Sequence, residues 1–112
     1  MDNDNLRKLK RADFSGETRV HISGEEKDVS VSIKDISPKG IRILLGGRIL
    51  QIGTPLDIKM NINKRDIQCK GKIAWLLAIR PGLGNISIFD VGVEFTEINP
   101  QDQEFLEKLF GG

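Results

Sequence analysis

LDIKMNI, residues 56–62, alternates an apolar residue with a polar one at every position. Alternation with period two is typical of a β-strand that buries one face, because successive side chains point to opposite sides of the sheet. The segment VSVSIK, residues 29–34, has the same pattern, with every apolar residue at an odd position. These two segments therefore predict strands and favour a protein built on a β-sheet.

Four further segments predict strands around these two: residues 18–22, 41–45, 67–79 and 86–96. The stretches between them, such as SGEEKD and RPGLGN, are rich in turn-forming residues. Gly71 interrupts the longest segment, where we expect a bulge or a tight corner. Six antiparallel strands in a short chain close most economically into a barrel, which removes exposed edges. We therefore predict an all-β fold, a six-stranded antiparallel β-barrel.

The hydrophobic period changes at the end of the chain, over residues 99–110. Asn99 is a favourable N-cap, and Pro100 suits the first position of a helix. One face of this segment carries four apolar side chains, namely Phe105, Leu106, Leu109 and Phe110. We expect a short C-terminal helix whose apolar face is covered by one end of the sheet or by a partner subunit.

The 112 residues include 17 basic and 16 acidic side chains, which give a formal net charge of +1. A balance this even argues against a protein whose whole surface holds duplex nucleic acid. The charge is nevertheless uneven, because residues 1–12 contain four basic and two acidic side chains. We predict a flexible basic N-terminal arm over residues 1–12 and a single barrel domain over residues 13–112.

Cysteine content and hydropathy indicate a cytoplasmic protein. Cys69 is the single cysteine, so no intrachain disulfide forms, and its place in an alternating segment predicts a buried structural thiol. The N-terminal residues MDNDN are polar, and the longest apolar run covers only residues 73–79. We therefore expect neither a standard export signal nor a membrane span.

The residues that common catalytic and metal sites require do not occur at the necessary spacings. His21 is the only histidine, and it lies in a strand pattern without a neighbouring Ser or Cys motif, so we expect an ordinary strand residue. Zinc-ligand spacing, a phosphate-binding loop and a dinucleotide fingerprint are absent from the sequence. We expect no enzyme, no metal and no cofactor, and a binding module is the better class.

Two short motifs point to an anion site. The first is R-x-x-x-R, formed by Arg7 and Arg11, and the second is D-x-S-x-x-G, formed by Asp35, Ser37 and Gly40. Each also has an explanation without a ligand. The arm fits a solvated terminal segment, and the second motif fits a type I turn whose backbone N–H groups bond to the aspartate.

Together with GKIAW at residues 71–75 and VGVEF at residues 91–95, these motifs resemble the PilZ domain family over residues 6–110. The resemblance implies a six-stranded barrel with a C-terminal helix that serves as a receptor for the bacterial second messenger cyclic di-GMP. It also implies a ligand site that comprises five residues, namely Arg7, Arg11, Asp35, Ser37 and Gly40.

The chemistry of cyclic di-GMP suits these residue types. The ligand has two phosphodiester charges and two guanines, and a guanidinium group bonds guanine O6 and N7, clamps a phosphate or stacks on a purine. A carboxylate such as that of Asp35 accepts the N1–H and N2–H₂ donors of the opposite edge, and Gly40 lets the backbone approach the ligand. Supporting candidates are Lys10, Arg42 and Trp75.

The resulting hypothesis is a switch in which ligand binding orders the N-terminal arm across the barrel, and a protein partner reads the ordered surface. The sequence leaves open whether the protein forms a homodimer. One alternative is an adaptor of the same fold that binds only proteins. Another is a small barrel that binds single-stranded nucleic acid, which the aromatic content of 5% disfavours.

Overall fold

The computed structural model of the chain describes residues 18–48, 50–83 and 86–110, and it describes their side chains outside residues 80–87. These residues form one antiparallel sheet and one helix. The strands are β1 Thr18–Ile22, β2 Val29–Val31, β3 Ile33–Ser37, β4 Gly40–Gly46, β5 Pro55–Ile62, β6 Arg65–Leu83 and β7 Ile86–Glu97, and the helix is α1 Pro100–Phe110.

The strands lie in the order β2-β1-β5-β6-β7-β4-β3, and every neighbouring pair is antiparallel. The two strands at the ends of this order, β2 and β3, are separated along the chain by Ser32 alone. The sheet therefore curls back on itself in the barrel-like manner expected.

The count of six strands needs correction, because the described residues contain seven. The segment VSVSIK divides at Ser32, where pairing changes from β1 to β4. The alternation of residues 29–34 continues through this break, so the sequence pattern gave no sign of it.

The core confirms the alternation on which the strand predictions depend. In β5, the apolar residues Leu56, Ile58, Met60 and Ile62 are buried, whereas Asp57 and Lys59 between them are exposed. Cys69 on β6 is buried as expected, and burial raises the pKa of its thiol to about 12.

The long strand β6 bends through several bulges, and one of them lies between Lys70 and Gly71 as predicted. A Cβ at Gly71 would lie 2.7 Å from the carbonyl oxygen of Glu94, which explains why a glycine occupies this bend.

The C-terminal helix begins and ends close to the predicted bounds. The Asn99 side chain accepts the N–H of Gln101 at 2.7 Å, so Asn99 is the N-cap and α1 starts at Pro100. Leu106 is fully buried, and the remaining apolar residues of the helix pack against the core of the same chain. The sheet therefore covers the apolar face of α1. Within the described ranges, this helix falls short of the length and apolar character needed to cross a bilayer.

Candidate ligand-binding site

The turn between β3 and β4 contains the second predicted motif. Ser37 pairs with Gly40 across a connection of two residues, Pro38 and Lys39, neither of which has a positive φ. The Ser37 hydroxyl accepts the N–H of Lys39 at 3.2 Å. These features agree with the type I turn expected from the sequence, and they leave Ser37 exposed at the end of β3.

Asp35 lies two residues before this turn and is directly opposite Arg42 on β4. Its Oδ1 accepts the N–H of Ile36 at 2.9 Å. We expected the Asp35 carboxylate to accept backbone N–H groups of the turn. This expectation is wrong, because the N–H of Lys39 in the turn donates to the Ser37 hydroxyl instead. Asp35 is half-buried and lies on the strand that leads into the exposed turn.

Gly40 has a role in the sheet that the sequence did not indicate. A Cβ at this position would collide with the backbone carbonyl of Val93 and lie 3.3 Å from the Cα of Glu94, both on β7. The space that a Cβ would fill is therefore occupied by the neighbouring strand β7. Gly40 allows β4 and β7 to approach at the start of their ladder.

Arg42 forms an ion pair that the sequence did not reveal. Its Nε–H lies 2.9 Å from Oδ1 and 3.0 Å from Oδ2 of Asp90 on β7, and Asp90 is only 7% exposed. The hydrogen bond and the charge of Asp90 raise the pKa of Arg42, and Asp35 adds a smaller effect in the same direction. Arg42 therefore stays cationic, and Asp90 holds its guanidinium beside the β3–β4 turn.

Trp75 on β6 packs over Gly92 on β7. A Cβ at Gly92 would collide with the indole ring, so this glycine is required by Trp75. The ring remains 42% exposed, so Trp75 both packs against β7 and offers an accessible aromatic surface.

These residues line one open groove of about 360 Å³ on the outer surface of β3, β4, β6 and β7. The groove brings together five predicted site residues, namely Asp35, Ser37, Gly40, Arg42 and Trp75. The other three, Arg7, Lys10 and Arg11, lie outside the described residues.

Comparison with known families gives a match over nearly the whole sequence. The sequence profile of the PilZ domain matches residues 5–112. The chain belongs to the PilZ domain family. PilZ domains are generally receptors or adaptors for cyclic di-GMP, and they interact with effector proteins.

A solved structure agrees with this PilZ assignment at the level of the fold. The crystal structure of the PilZ domain of CeSA from a cellulose-synthesizing bacterium is 19% identical to the chain, with a TM-score of 0.50. The comparison covers 90% of this chain and 96% of the other. A search of curated proteins gave no match.

The PilZ domain also has a larger groove, of about 640 Å³, along β1, β5 and β6. Its lining contains both signs of charge, including Lys59 and Asp57, and none of the described lining residues is a Phe, Tyr or Trp. His21 lies here as an ordinary strand residue that donates from Nε2 to the Glu25 carbonyl at 2.8 Å. Because this groove has no Phe, Tyr or Trp among its described residues on which bases could stack, it does not support the alternative that the protein binds single-stranded nucleic acid.

Proposed function

We propose that this PilZ domain is a cyclic di-GMP receptor whose ligand lies in the groove beside the β3–β4 turn. The observation that supports the proposal most strongly is the meeting of Asp35, Ser37, Arg42 and Trp75 on one surface. These side chains come from three strands, so only the fold brings them together.

Three of these groups match different parts of the ligand. Asp35 accepts the N1–H and N2–H₂ donors of a guanine, and Arg42 supplies a fixed positive charge for a phosphodiester. The exposed indole of Trp75 offers a face on which a purine stacks. A bidentate contact to a base contributes about 1–3 kcal/mol, so each such contact raises the affinity about ten- to a hundredfold.

The N-terminal arm is long enough to bring Arg7 and Arg11 to this groove. Thr18, the first residue of β1, is opposite Val31, and Asp35 is four residues further along the chain through β2 and β3. The four residues from Val31 to Asp35 span about 13 Å in extended geometry. Arg11 precedes Thr18 by seven residues, which span up to about 25 Å when extended.

The basic composition of the arm provides the switch. Its four cationic side chains, Arg7, Lys8, Lys10 and Arg11, repel one another, and the two phosphodiester charges of the ligand offset that repulsion. Binding therefore draws the arm across the groove, where Arg7 and Arg11 contact phosphate or guanine and Lys10 adds charge. A cytoplasmic effector protein then recognises the surface formed by arm and ligand. The proposal requires neither a metal nor a cofactor.

Isothermal titration calorimetry with cyclic di-GMP tests the proposal. We expect saturable binding to the wild type and a loss of about ten- to a hundredfold in affinity for Arg11→Ala. Lys59→Ala is the matched control, because this exposed lysine lines the other groove, and we expect its affinity to equal that of the wild type. A wild type that releases no heat would contradict nucleotide binding and favour the adaptor alternative.

A further inference from the structure

The exposed large apolar side chains of the described residues occur in one place. Three of them alternate along β6, and the fourth lies in the loop before β5: Trp75 is 42% exposed, Leu77 61%, Ile79 52% and Ile52 67%. Alternating residues of a regularly paired strand share a face, so Trp75 and Leu77 form a continuous row, and Ile79 follows them at the bulge between Ala78 and Arg80. Exposed large hydrophobics that cluster in this way mark interaction surfaces more often than isolated ones do.

The row lies on a part of β6 that has one open edge. β6 pairs with β5 from Arg65 to Lys72, and Ile73 then exchanges hydrogen bonds of 3.0 and 2.7 Å with Thr54 and Gly53. Beyond Ile73, no described residue pairs with this side of β6, whereas β7 pairs with the other side as far as Leu83. Backbone N–H and C=O groups of residues 75–79 on the open side therefore have no ladder partner within the described ranges.

The charges and prolines that protect exposed strands are absent from residues 73–79 of this edge, and the first of them, Arg80 and Pro81, follow at its outer end. Residues 73–79 read IAWLLAI and contain neither a charged residue nor a proline. Natural edge strands commonly carry lysine or proline, because an uncharged edge serves as a template for pairing with another strand. Bulges flank the region, and pairing with β7 is regular from Trp75 to Ala78. Within the described ranges, the regular stretch from Trp75 to Ala78 is thus available for pairing on its open side.

We propose that two copies of this chain associate by antiparallel pairing of their β6 edges, centred on Leu77. In this register, Leu77 lies opposite its own copy, and Trp75 lies opposite Ile79 of the partner subunit. Pairs of an aromatic with a β-branched residue are favourable across antiparallel strands. The uncharged row meets itself without repulsion, and a two-fold interface covers both open edges at once, which makes a second copy the occupant.

Measurement of the mass in solution tests this pairing without any ligand, so its failure does not affect the proposal for cyclic di-GMP. At about 0.1 mM, where association with a micromolar Kd is nearly complete, we expect sedimentation equilibrium to give twice the chain mass of 12.5 kDa. Leu77→Lys should give the monomer mass, because it sets two lysines opposite each other. Its circular dichroism should match the wild type, since Leu77 is exposed.

Gln68→Lys is the matched control. It adds the same charge to an exposed position of the same strand, where β5 already pairs and Lys59 lies opposite, so we expect this variant to lose some stability within the chain but to stay dimeric. Trp75 is the only tryptophan, and its emission should shift to shorter wavelength as concentration rises in the wild type but not in Leu77→Lys. A monomeric wild type, or a Leu77→Lys variant that remains dimeric, would overturn the proposal.

The register is tested by oxidative cross-linking. Cβ atoms of directly opposite residues lie about 4.5–5.5 Å apart, close enough for a disulfide after a small adjustment. Leu77→Cys should form a covalent dimer under mild oxidation, whereas Gln68→Cys should not. The native Cys69 is buried, and the pKa of its thiol is about 12, so it stays unreactive in both variants. Equal cross-linking of the two variants would refute the proposed register.

Discussion

Replacing Gly40 by alanine distinguishes a glycine required by the sheet from a glycine required by the ligand. The added Cβ would collide with the Val93 carbonyl oxygen and lie 3.1 Å from the Val93 carbonyl carbon. All of these atoms belong to the backbone of β7, so no side-chain rotation relieves the contact. Strands β4 and β7 must separate at the start of a ladder that continues to Gly46 and Ile88.

The expected cost follows from this geometry. Overpacking in a well-packed protein costs typically 1–3 kcal/mol, and a collision with backbone belongs at the upper end of that range. For a chain of this size, 1 kcal/mol lowers Tm by roughly 4 °C. We therefore expect Gly40→Ala to lower Tm by about 8–12 °C, measured by circular dichroism without ligand.

Gly92→Ala provides the comparison. The atoms nearest to its Cβ would all belong to the indole of Trp75, a side chain that is 42% exposed and not part of the backbone. We expect a smaller fall in Tm than for Gly40→Ala, and most of that fall should disappear when Trp75→Ala is combined with Gly92→Ala. A Gly40→Ala protein with the Tm of the wild type and reduced affinity for cyclic di-GMP would refute our assignment of Gly40 to the sheet.

Three further predictions concern Asp90, Cys69 and the arm. Asp90→Ala should weaken cyclic di-GMP binding about tenfold, because it releases the guanidinium of Arg42. Asp90→Asn still accepts a hydrogen bond from Arg42 and should weaken binding less. If calorimetry gave both variants the affinity of the wild type, that result would contradict the positioning role of Asp90. The raised pKa of Cys69 means that the unfolded chain loses the thiol proton above about pH 9 and the folded chain only near pH 12. Stability measured by urea unfolding should therefore fall between these values, and Cys69→Val should remove that part of the fall. Hydrogen exchange of residues 1–14 should slow on saturation with cyclic di-GMP, and unchanged exchange would rule out ordering of the arm.

Local sequence patterns predicted the strands well because burial of one face imposes period two on the residues themselves. The same reasoning placed the helix, since the N-cap Asn99 and the apolar face of α1 are local features. The division at Ser32 escaped prediction because a change of pairing partner leaves the alternation intact. The expectation that closure removes exposed edges does not hold among the described residues for the outer part of β6, which extends beyond the end of β5 pairing.

The candidate site was predicted only in part, because half of its contacts join distant parts of the chain. The turn at Ser37 to Gly40 has a local signature and was found. Arg42 and Asp90 are 48 residues apart, and nothing near either residue indicates the other. A single acidic residue within the apolar stretch ISIFDVGV was the only available sign of Asp90. The contact of Trp75 with Gly92 likewise depends on the register of β6 and β7.

The position of the ligand is tested most directly by NMR, through the backbone amide shifts of the wild type during titration with cyclic di-GMP. We predict that the largest changes occur at residues 35–42 and at Trp75 and Gly92, the residues of the groove beside the β3–β4 turn. Amides of Lys59 and Gln68 in the larger groove should change little. Saturable shifts confined to that larger groove, or no shifts at saturating ligand, would contradict the proposed site.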